Sequence, residues 1–513
     1  MQFKQTPEQQ QTDLKYYILE GITWAVMYYI GVIFLVPYLI QLKANTMEIG
    51  LLNTLPLFLA SFSVLFSYSV FKYFKSEKHL VLFFTTLQAL FWIPLAFVGY
   101  LSNNQLAIWL IIIIYCLIVL TEQFPLGVYR EWIGKIFNIS QIVGNNAKKQ
   151  IILNLFSIIP LFITGFVLDA MQRNTSLGFT IIFLIAGIFR FGSVIVMNKM
   201  SQTEDNCSLC KESKEKSQPV FKVFRDVVIR NKQFMYFLVI ISLIFFSMYI
   251  AAPFYRYYFL EILKFSYKQY VFLEIGSILG LVLSFYYWGK ICDKYGSTKV
   301  LKATILFLPI YPFLIMAFGN RIWLLFFLNI IDGALMAGLT LGIFGYFYQN
   351  IKSDLIHHMS FFLIFQSFAM LLGTIVGGYI SSNPKFWFMG VERYGLLLIF
   401  AISMIFRIFT IGFVGKIKDT NRSKIDLPKN ILLQKPIMFG LNQFLHFTRT
   451  EGEILGRGLK KEEKELKKHL IKQEKVIEKN IKHLVNQEKL LFEKMTEIEK
   501  RKKSFKNLKK VKK

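Results

Sequence analysis

Long apolar runs separated by short polar loops make up most of the chain. The run at 107–120 (AIWLIIIIYCLIVL) contains no charged residue, which a water-facing helix does not tolerate over that length. A helix that crosses the hydrocarbon core needs roughly 20 apolar residues, and on that length the pattern predicts twelve transmembrane helices. They are expected at about 16–41, 49–71, 80–101, 106–126, 149–171, 177–198, 234–260, 269–289, 299–318, 322–348, 357–381 and 391–415.

A polar stretch containing KESKEK divides these helices into two groups of six. The sequence therefore predicts an all-α membrane protein of two six-helix bundles. Four regions are expected: an N-terminal bundle at 1–198, a cytoplasmic linker at 199–232, a C-terminal bundle at 233–415 and a basic cytoplasmic tail with a long helix at 416–513.

Short matches between the halves favour an internal repeat. Ile-Trp-Leu begins at Ile108 in the fourth helix and at Ile322 in the tenth, an offset of 214. Ile-Phe-Arg ends at Arg190 in the sixth helix and at Arg407 in the twelfth, an offset of 217. Nearly equal offsets between helices six apart favour duplication, which is one way transporter folds are built.

Charge places the ends of the chain on one side of the membrane. Lys and Arg concentrate in the loops that lie on the same side as both termini, and this bias predicts a cytoplasmic location for the termini. The outer loops carry few basic residues, namely Lys43, Arg173, Lys264, Lys268, Arg321, Lys385 and Arg393. We therefore expect a multi-pass protein of the cell (plasma or inner) membrane.

The formal net charge of +28 does not indicate nucleic-acid binding. Residues 460–513 carry 20 Lys or Arg against 9 Asp or Glu, and the inner loops hold much of the rest. In the tail, apolar residues recur every seven positions from Leu470 to Phe505, but the second seam position of a coiled coil is mostly polar. A helix that lies on anionic lipid and a solvated helix both remain open for this tail.

Cys207 and Cys210 form a single CxxC without a second pair at zinc-site spacing. Two reduced thiols in the linker are the favoured interpretation, and no metal site is predicted. The loops contain no nucleotide-binding motif and no nucleophile with an adjacent base. The sequence therefore predicts neither an enzyme nor a cofactor.

The segment from Gly289 to Lys299 (GKICDKYGSTK) resembles the loop signature of the major facilitator superfamily, with Gly289, Asp293, Lys294, Gly296 and Lys299 as the matching residues. The two glycines are expected to allow a tight turn and a close helix approach. Further stretches that resemble a bacterial and archaeal branch of that superfamily begin at Glu131, Gly165, Pro253 and Gly373. The corresponding first-half loop, near 71–79, lacks the Asp and the paired glycines.

The resemblance implies two bundles that close alternately around a site at the membrane midplane. Helices one, four, seven and ten would line the cavity. Asp293 would face the start of the fifth helix, near Lys148 and Lys149, and help to hold the inner side shut.

Ionisable residues within the spans are candidates for function because they are costly in lipid. Asp332, ten residues into the tenth helix, is placed like a substrate or proton site, and Asn329 lies on the same helix face. Helix packing is the alternative for Asp332. The weaker candidates are Glu122 and Glu274 for proton coupling, Arg256 toward the outer side, and Glu20 toward the inner side.

Two aromatic residues and two arginines in the spans can also be explained by structural roles. Trp24 and Tyr28 could stack on an organic solute, although anchoring at the membrane interface is favoured for aromatic residues in general. Arg190 and Arg407 are expected to reach the inner headgroups or to support contacts within a bundle.

The sequence predicts a secondary active or facilitative transporter of a small organic solute, with protons as a candidate coupling ion. Its partners would be the lipid bilayer, the solute and anionic lipid at the tail. Efflux of a drug or metabolite is one alternative. The other is a membrane receptor or anchor for the C-terminal helix that does not transport.

Overall fold

A computed structural model describes residues 7–71, 73–74, 76–137, 139–202, 220–319, 321–351, 355–381, 385–388 and 391–417. The CxxC of the linker and the predicted tail helix lie outside these residues. Side chains are described for most of the same ranges, the main exceptions being 64–69, 138–148 and 382–394.

Eight helices form the first half of the described chain. Pro37 lies in the first turn of α2. Pro56, Pro94 and Pro160 lie in the interiors of three other helices, where packing in a bilayer tolerates them. The helices are α1 (Pro7–Ile30), α2 (Leu35–Gln41), α3 (Thr46–Phe71), α4 (Glu77–Phe97), α5 (Asn104–Gln123), α6 (Leu126–Ile136), α7 (Ile139–Ala170) and α8 (Thr175–Asn198).

The second half is again mostly helical and follows a short helix in the linker. A two-stranded antiparallel hairpin pairs Lys385 with Tyr394 and Phe388 with Val391, so the predicted start of the twelfth helix at 391 is wrong. The helices are α9 (Val220–Phe224), α10 (Lys232–Tyr249), α11 (Phe254–Tyr257), α12 (Tyr267–Tyr295), α13 (Ser297–Phe307), α14 (Ile310–Phe318), α15 (Ile322–Asn350), α16 (Leu355–Ser381) and α17 (Gly395–Val414); the strands are β1 (Lys385–Phe388) and β2 (Val391–Tyr394).

Within the described residues, 11 helical segments are long and apolar enough to cross a bilayer. They include pairs that run on from one helix to the next, such as 9–41 and 104–136. Large apolar side chains such as Trp323 and Ile188, each 68% exposed, cover the outside of the bundle, where lipid replaces water. The chain is therefore a multi-pass α-helical membrane protein, as the apolar pattern predicts.

The two halves pack as bundles that meet mainly along two helix pairs. In the first half, α1 packs on α7 and α8, and α4 packs on α5 and α8. In the second half, α12 packs on α15, and α10 packs on α16. The bundles contact each other where α3 meets α16 and where α7 meets α12.

The packing of α12 on α15 depends on close backbone contact. A Cβ atom at Gly333 would overlap the carbonyl oxygen of Ser277, so α12 and α15 can approach at this point only with glycine. Ser277 and Gly333 are therefore held in fixed positions next to each other.

The loop between α12 and α13 turns at Gly296. Its φ is 93° and its ψ is 144°, a region that other residues rarely adopt. Gly289 lies inside α12, and a Cβ atom there would have no neighbour within 4 Å. The tight turn predicted for this loop is present at Gly296, but the close helix approach predicted at Gly289 is wrong.

We expect Gly296→Ala to lower the free energy of unfolding by about 1–3 kcal/mol, because alanine is strained in this backbone conformation. Gly289→Ala is the matched control. It should raise stability by about 0.5–1 kcal/mol, because alanine favours the helix. Thermal unfolding of the two variants in detergent measures the difference, and equal midpoints would contradict the role given to Gly296.

Candidate functional site

Glu122 lies within a chain of polar side chains that crosses the first bundle and ends at Trp24 and Arg190. Its Oε1 accepts a hydrogen bond of 2.9 Å from the indole nitrogen of Trp24, and its Oε2 accepts one of 3.3 Å from Gln88. Arg190 Nε donates to the side-chain oxygen of Gln88 at 2.5 Å. The chain joins α1, α4, α5 and α8, so both oxygens of the Glu122 carboxylate are already bound.

Glu20 forms a second buried cluster beside this chain. Its Oε2 lies 2.8 Å from Lys149 Nζ and 3.1 Å from the Tyr129 hydroxyl, and its Oε1 lies 3.8 Å from a terminal nitrogen of Arg190. Lys149 Nζ also lies 3.8 Å from the centre of the Tyr17 ring. Lys149 is thus enclosed by its own bundle, whereas the sequence placed it near Asp293.

Arg190 and Arg407 are both buried, with 6% and 3% of their surface exposed. Arg407 donates from NH1 to the carbonyl oxygen of Leu308 at 2.8 Å, which links α17 to the end of α13. The expectation that these residues reach the headgroups is wrong, and the alternative, support of contacts within each bundle, agrees with their positions.

Arg256 of α11 and Glu274 of α12 form an ion pair within the second bundle. Arg256 Nε lies 3.0 Å from Glu274 Oε1, and the two side chains are 28% and 19% exposed. Tyr28 of the first bundle lies within electrostatic range of both residues and of Glu122. Its ring stacks on Trp24 with centroids 5.3 Å apart. Five predicted candidates, three from the first half and two from the second, therefore lie around one region.

Asn329 is a packing residue in this structure. Its Oδ1 accepts hydrogen bonds from Ser277 at 3.1 Å and from Tyr311 at 3.3 Å. Its Nδ2 donates to the carbonyl oxygen of Leu325 at 2.8 Å. Asn329 thereby ties α12 and α14 to α15 and does not line the cavity described next.

Asp332 lines a cavity of about 130 Å³ between the two bundles. Its carboxylate accepts no hydrogen bond from the residues that the structure describes. The first bundle contributes Tyr29 and Asn154 to the wall, and the second contributes Ser277 and Met336. The helices that line this cavity are α1, α7, α12 and α15. They correspond to the predicted first, fifth, eighth and tenth helices, whereas the resemblance implied that the first, fourth, seventh and tenth would line it.

Hydrogen bonds join the bundles at the ends that the charge bias places outside. Asp169 Oδ1 at the end of α7 accepts a hydrogen bond of 3.1 Å from the backbone nitrogen of Tyr267, and its Oδ2 lies 3.8 Å from Lys268 Nζ. Ser381 of α16 donates to the Thr46 hydroxyl of α3 at 2.8 Å.

At the opposite end of the bundles, which the charge bias places inside, lies the loop signature with Asp293. Asp293 is exposed and makes no ion pair or hydrogen bond with a described residue, and Lys294 lies over the ring of Tyr295 in its own loop. The predicted contact of Asp293 with the start of the fifth helix is therefore not formed with Lys149; the side chain of Lys148 lies outside the described residues.

Solved membrane transporters share this arrangement of helices. A mutant of the nucleoside transporter NupG aligns with a TM-score of 0.60 at 14% identity, over 79% of this chain and 100% of that one. A bacterial homologue of the iron transporter ferroportin, in an inward-facing state, aligns with a TM-score of 0.57 at 9% identity, over 80% and 99%. The chain therefore shares the fold of these transporters.

A D-xylose–proton symporter aligns with this fold at a TM-score of 0.55 and 13% identity, over 79% of this chain and 96% of that one. No protein-family profile and no curated protein matches the sequence. The loop signature around Asp293 therefore agreed with the fold although overall sequence similarity is low.

Sequence reasoning did not identify several residues of the site. Gln88, Asn154 and Ser277 each place a polar side chain in an apolar helix, which is a usable signal. Lys149 was identified as a basic residue at a helix start, but its pairing with Glu20 depends on how α1 and α7 are rotated, which one sequence does not specify.

Proposed function

We propose that this protein is a secondary active or facilitative transporter that moves a small organic solute across the cell membrane by alternating access. The observation that carries the proposal is the Asp332 cavity, which has walls from both bundles. A site between two rigid bundles can be exposed to either side of the membrane by rocking one bundle against the other.

The contacts at the ends of the bundles support an inward-facing conformation. Asp169 and Thr46 bind the second bundle at the predicted outer end, and Asp293 is exposed at the predicted inner end. In the outward-facing conformation the outer contacts would break, and Asp293 would approach the start of α7.

The full topology is part of the proposal. The 26-residue helix α3 lies between the first and second of the 11 apolar segments, and counting it as a further span gives the twelve helices expected from the sequence. An even number of spans places both termini on the same side, and the positive loops favour the cytoplasm. The boundaries at 198, 232 and 415 and the association of the tail with anionic lipid remain proposals.

Asp332 is the favoured site for the substrate or for a coupling proton. Glu122 is bound through both oxygens, and Glu274 is paired with Arg256, so each would have to lose a partner before it could bind another. No described feature favours efflux over uptake. The solutes in the names of the similar structures, nucleosides, iron and D-xylose, differ too much in size and charge to indicate one substrate.

Reconstitution in liposomes tests the proposal. We expect the purified protein to exchange solutes from a labelled metabolite mixture, and Asp332→Asn to reduce exchange at least tenfold. Comparison with and without a pH gradient tests proton coupling. A chain that ends near residue 450 should retain exchange; loss of its cellular effect without any measurable flux in either protein would instead favour the anchor alternative.

A further inference from the structure

We infer that the Asp332 cavity binds a small organic cation, with a protonated amine against the Asp332 carboxylate. The inference rests on the proposed transport function and specifies its substrate class. It follows from the charge, the size and the chemistry of the cavity wall.

Charge favours a cation in this cavity. Among the described residues of the wall, Asp332 is the ionisable one, apart from the phenol of Tyr29. Arg407 and Glu274 lie within electrostatic range of Asp332, but neither forms an ion pair with it. Arg407 instead donates to the backbone oxygens of Leu308 and Met248. A carboxylate without an ion-pair partner is costly within a membrane span, and a ligand with a positive charge would supply that partner.

The other charged groups within the two bundles do not reverse this preference. Arg256 is neutralised by Glu274 at 3.0 Å. Lys149 and Arg190 lie against Glu20 inside the first bundle. An anionic solute in the cavity would therefore meet Asp332, and no cationic side chain among the described wall residues would bind it.

Size and wall chemistry indicate an organic ligand. The volume of about 130 Å³ is close to that of a cavity that admits benzene, roughly 150 Å³. Ile278, Leu281 and Met336 make part of the wall apolar. A hard metal ion such as Ca²⁺ or Mg²⁺ requires oxygen ligands on all sides, whereas an alkylammonium ion presents an apolar chain to these side chains.

Polar groups near Asp332 can accept the remaining N–H groups of an amine. Ser277 donates its own proton to Asn329 Oδ1, which leaves the Ser277 hydroxyl oxygen as an acceptor. Gly333 fixes the backbone of α15 against Ser277. Asn329 is therefore a positioning residue that orients this acceptor, and Asp332 supplies the charge.

Binding to the purified full-length protein tests the inference without a flux assay. Butylamine, 1-butanol and butyrate are matched in size and differ in charge, so we expect butylamine to bind at least tenfold more tightly than either of the other two. Asp332→Asn should remove that preference. Glu261→Gln is the control, because it deletes an exposed carboxylate that is paired with Lys264, and it should retain the preference.

Equal affinity for butylamine and 1-butanol would overturn the inference, as would unchanged butylamine binding in Asp332→Asn. If Na⁺ or K⁺ competed with butylamine at equal concentration, the conclusion that the cavity selects an organic cation would be wrong. Amine binding without flux would contradict the proposed function and leave the inference intact. Flux of a solute that carries no amine, without any amine binding, would support the proposed function and contradict the inference.

Discussion

Glu20→Gln is expected to lower the free energy of unfolding by about 3–5 kcal/mol, the cost of removing one partner from a buried ion pair. Glutamine has nearly the same shape and still accepts hydrogen bonds, so the loss reflects charge. Without the carboxylate, Lys149 and Arg190 remain as buried cations that face each other across the place Glu20 occupied. Denaturant unfolding in mixed micelles measures the change.

Two further variants separate the effect of the lost charge from a general loss of stability. Glu261→Gln removes a carboxylate from a pair whose side chains are 40% and 69% exposed, and exposed pairs contribute only about 0–1 kcal/mol. The double variant Glu20→Leu with Lys149→Met removes the closest pair of charges and leaves Arg190, which still donates to Gln88, so it should recover part of the stability. A double variant as unstable as Glu20→Gln would contradict the ion-pair explanation.

The apolar pattern predicted most of the fold because lipid imposes a strong constraint. Each span must satisfy its backbone hydrogen bonds internally. An apolar run such as 107–120 is therefore expected to form a helix. The ends of helices were less certain. The first helix begins at Pro7 rather than 16 because its first turns are polar, and residues 391–394 form a strand although they precede an apolar run.

The candidate site was predicted in part. Asp332 was singled out because of its depth within the span, and the structure places it on a cavity between the bundles. Asn329 was paired with it by helix periodicity, but the rotation of α15 buries Asn329 against Ser277 and Tyr311. Which faces meet is decided by tertiary packing such as the Gly333 contact, and a single sequence does not contain that information.

A cross-link between the bundles is expected to stop alternating access. The Thr46 and Ser381 hydroxyl oxygens lie 2.8 Å apart at the predicted outer end, so Thr46→Cys with Ser381→Cys should form a disulfide. The experiment requires a background in which the four native cysteines are replaced by serine. With the outer end locked, the cavity should remain open to the predicted inner side only.

A cross-link inside one bundle is the matched control. Thr23 and Ser193 also have hydroxyl oxygens 2.7 Å apart, but both belong to the first bundle. Thr23→Cys with Ser193→Cys should therefore form a disulfide that leaves the movement of the bundles unchanged. Comparison of the two pairs separates the effect of locking the bundles from the effect of a disulfide itself.

The most direct measurement is the labelling of Ser277→Cys, in the cavity wall, by a membrane-impermeant thiol reagent added to one face of the membrane at a time. We expect labelling from both faces in the control pair and in the reduced Thr46–Ser381 pair. After oxidation of the Thr46–Ser381 pair, only the predicted inner face should give labelling. Labelling from the outer face in the oxidised protein, or from one face only in every variant, would contradict alternating access at this cavity.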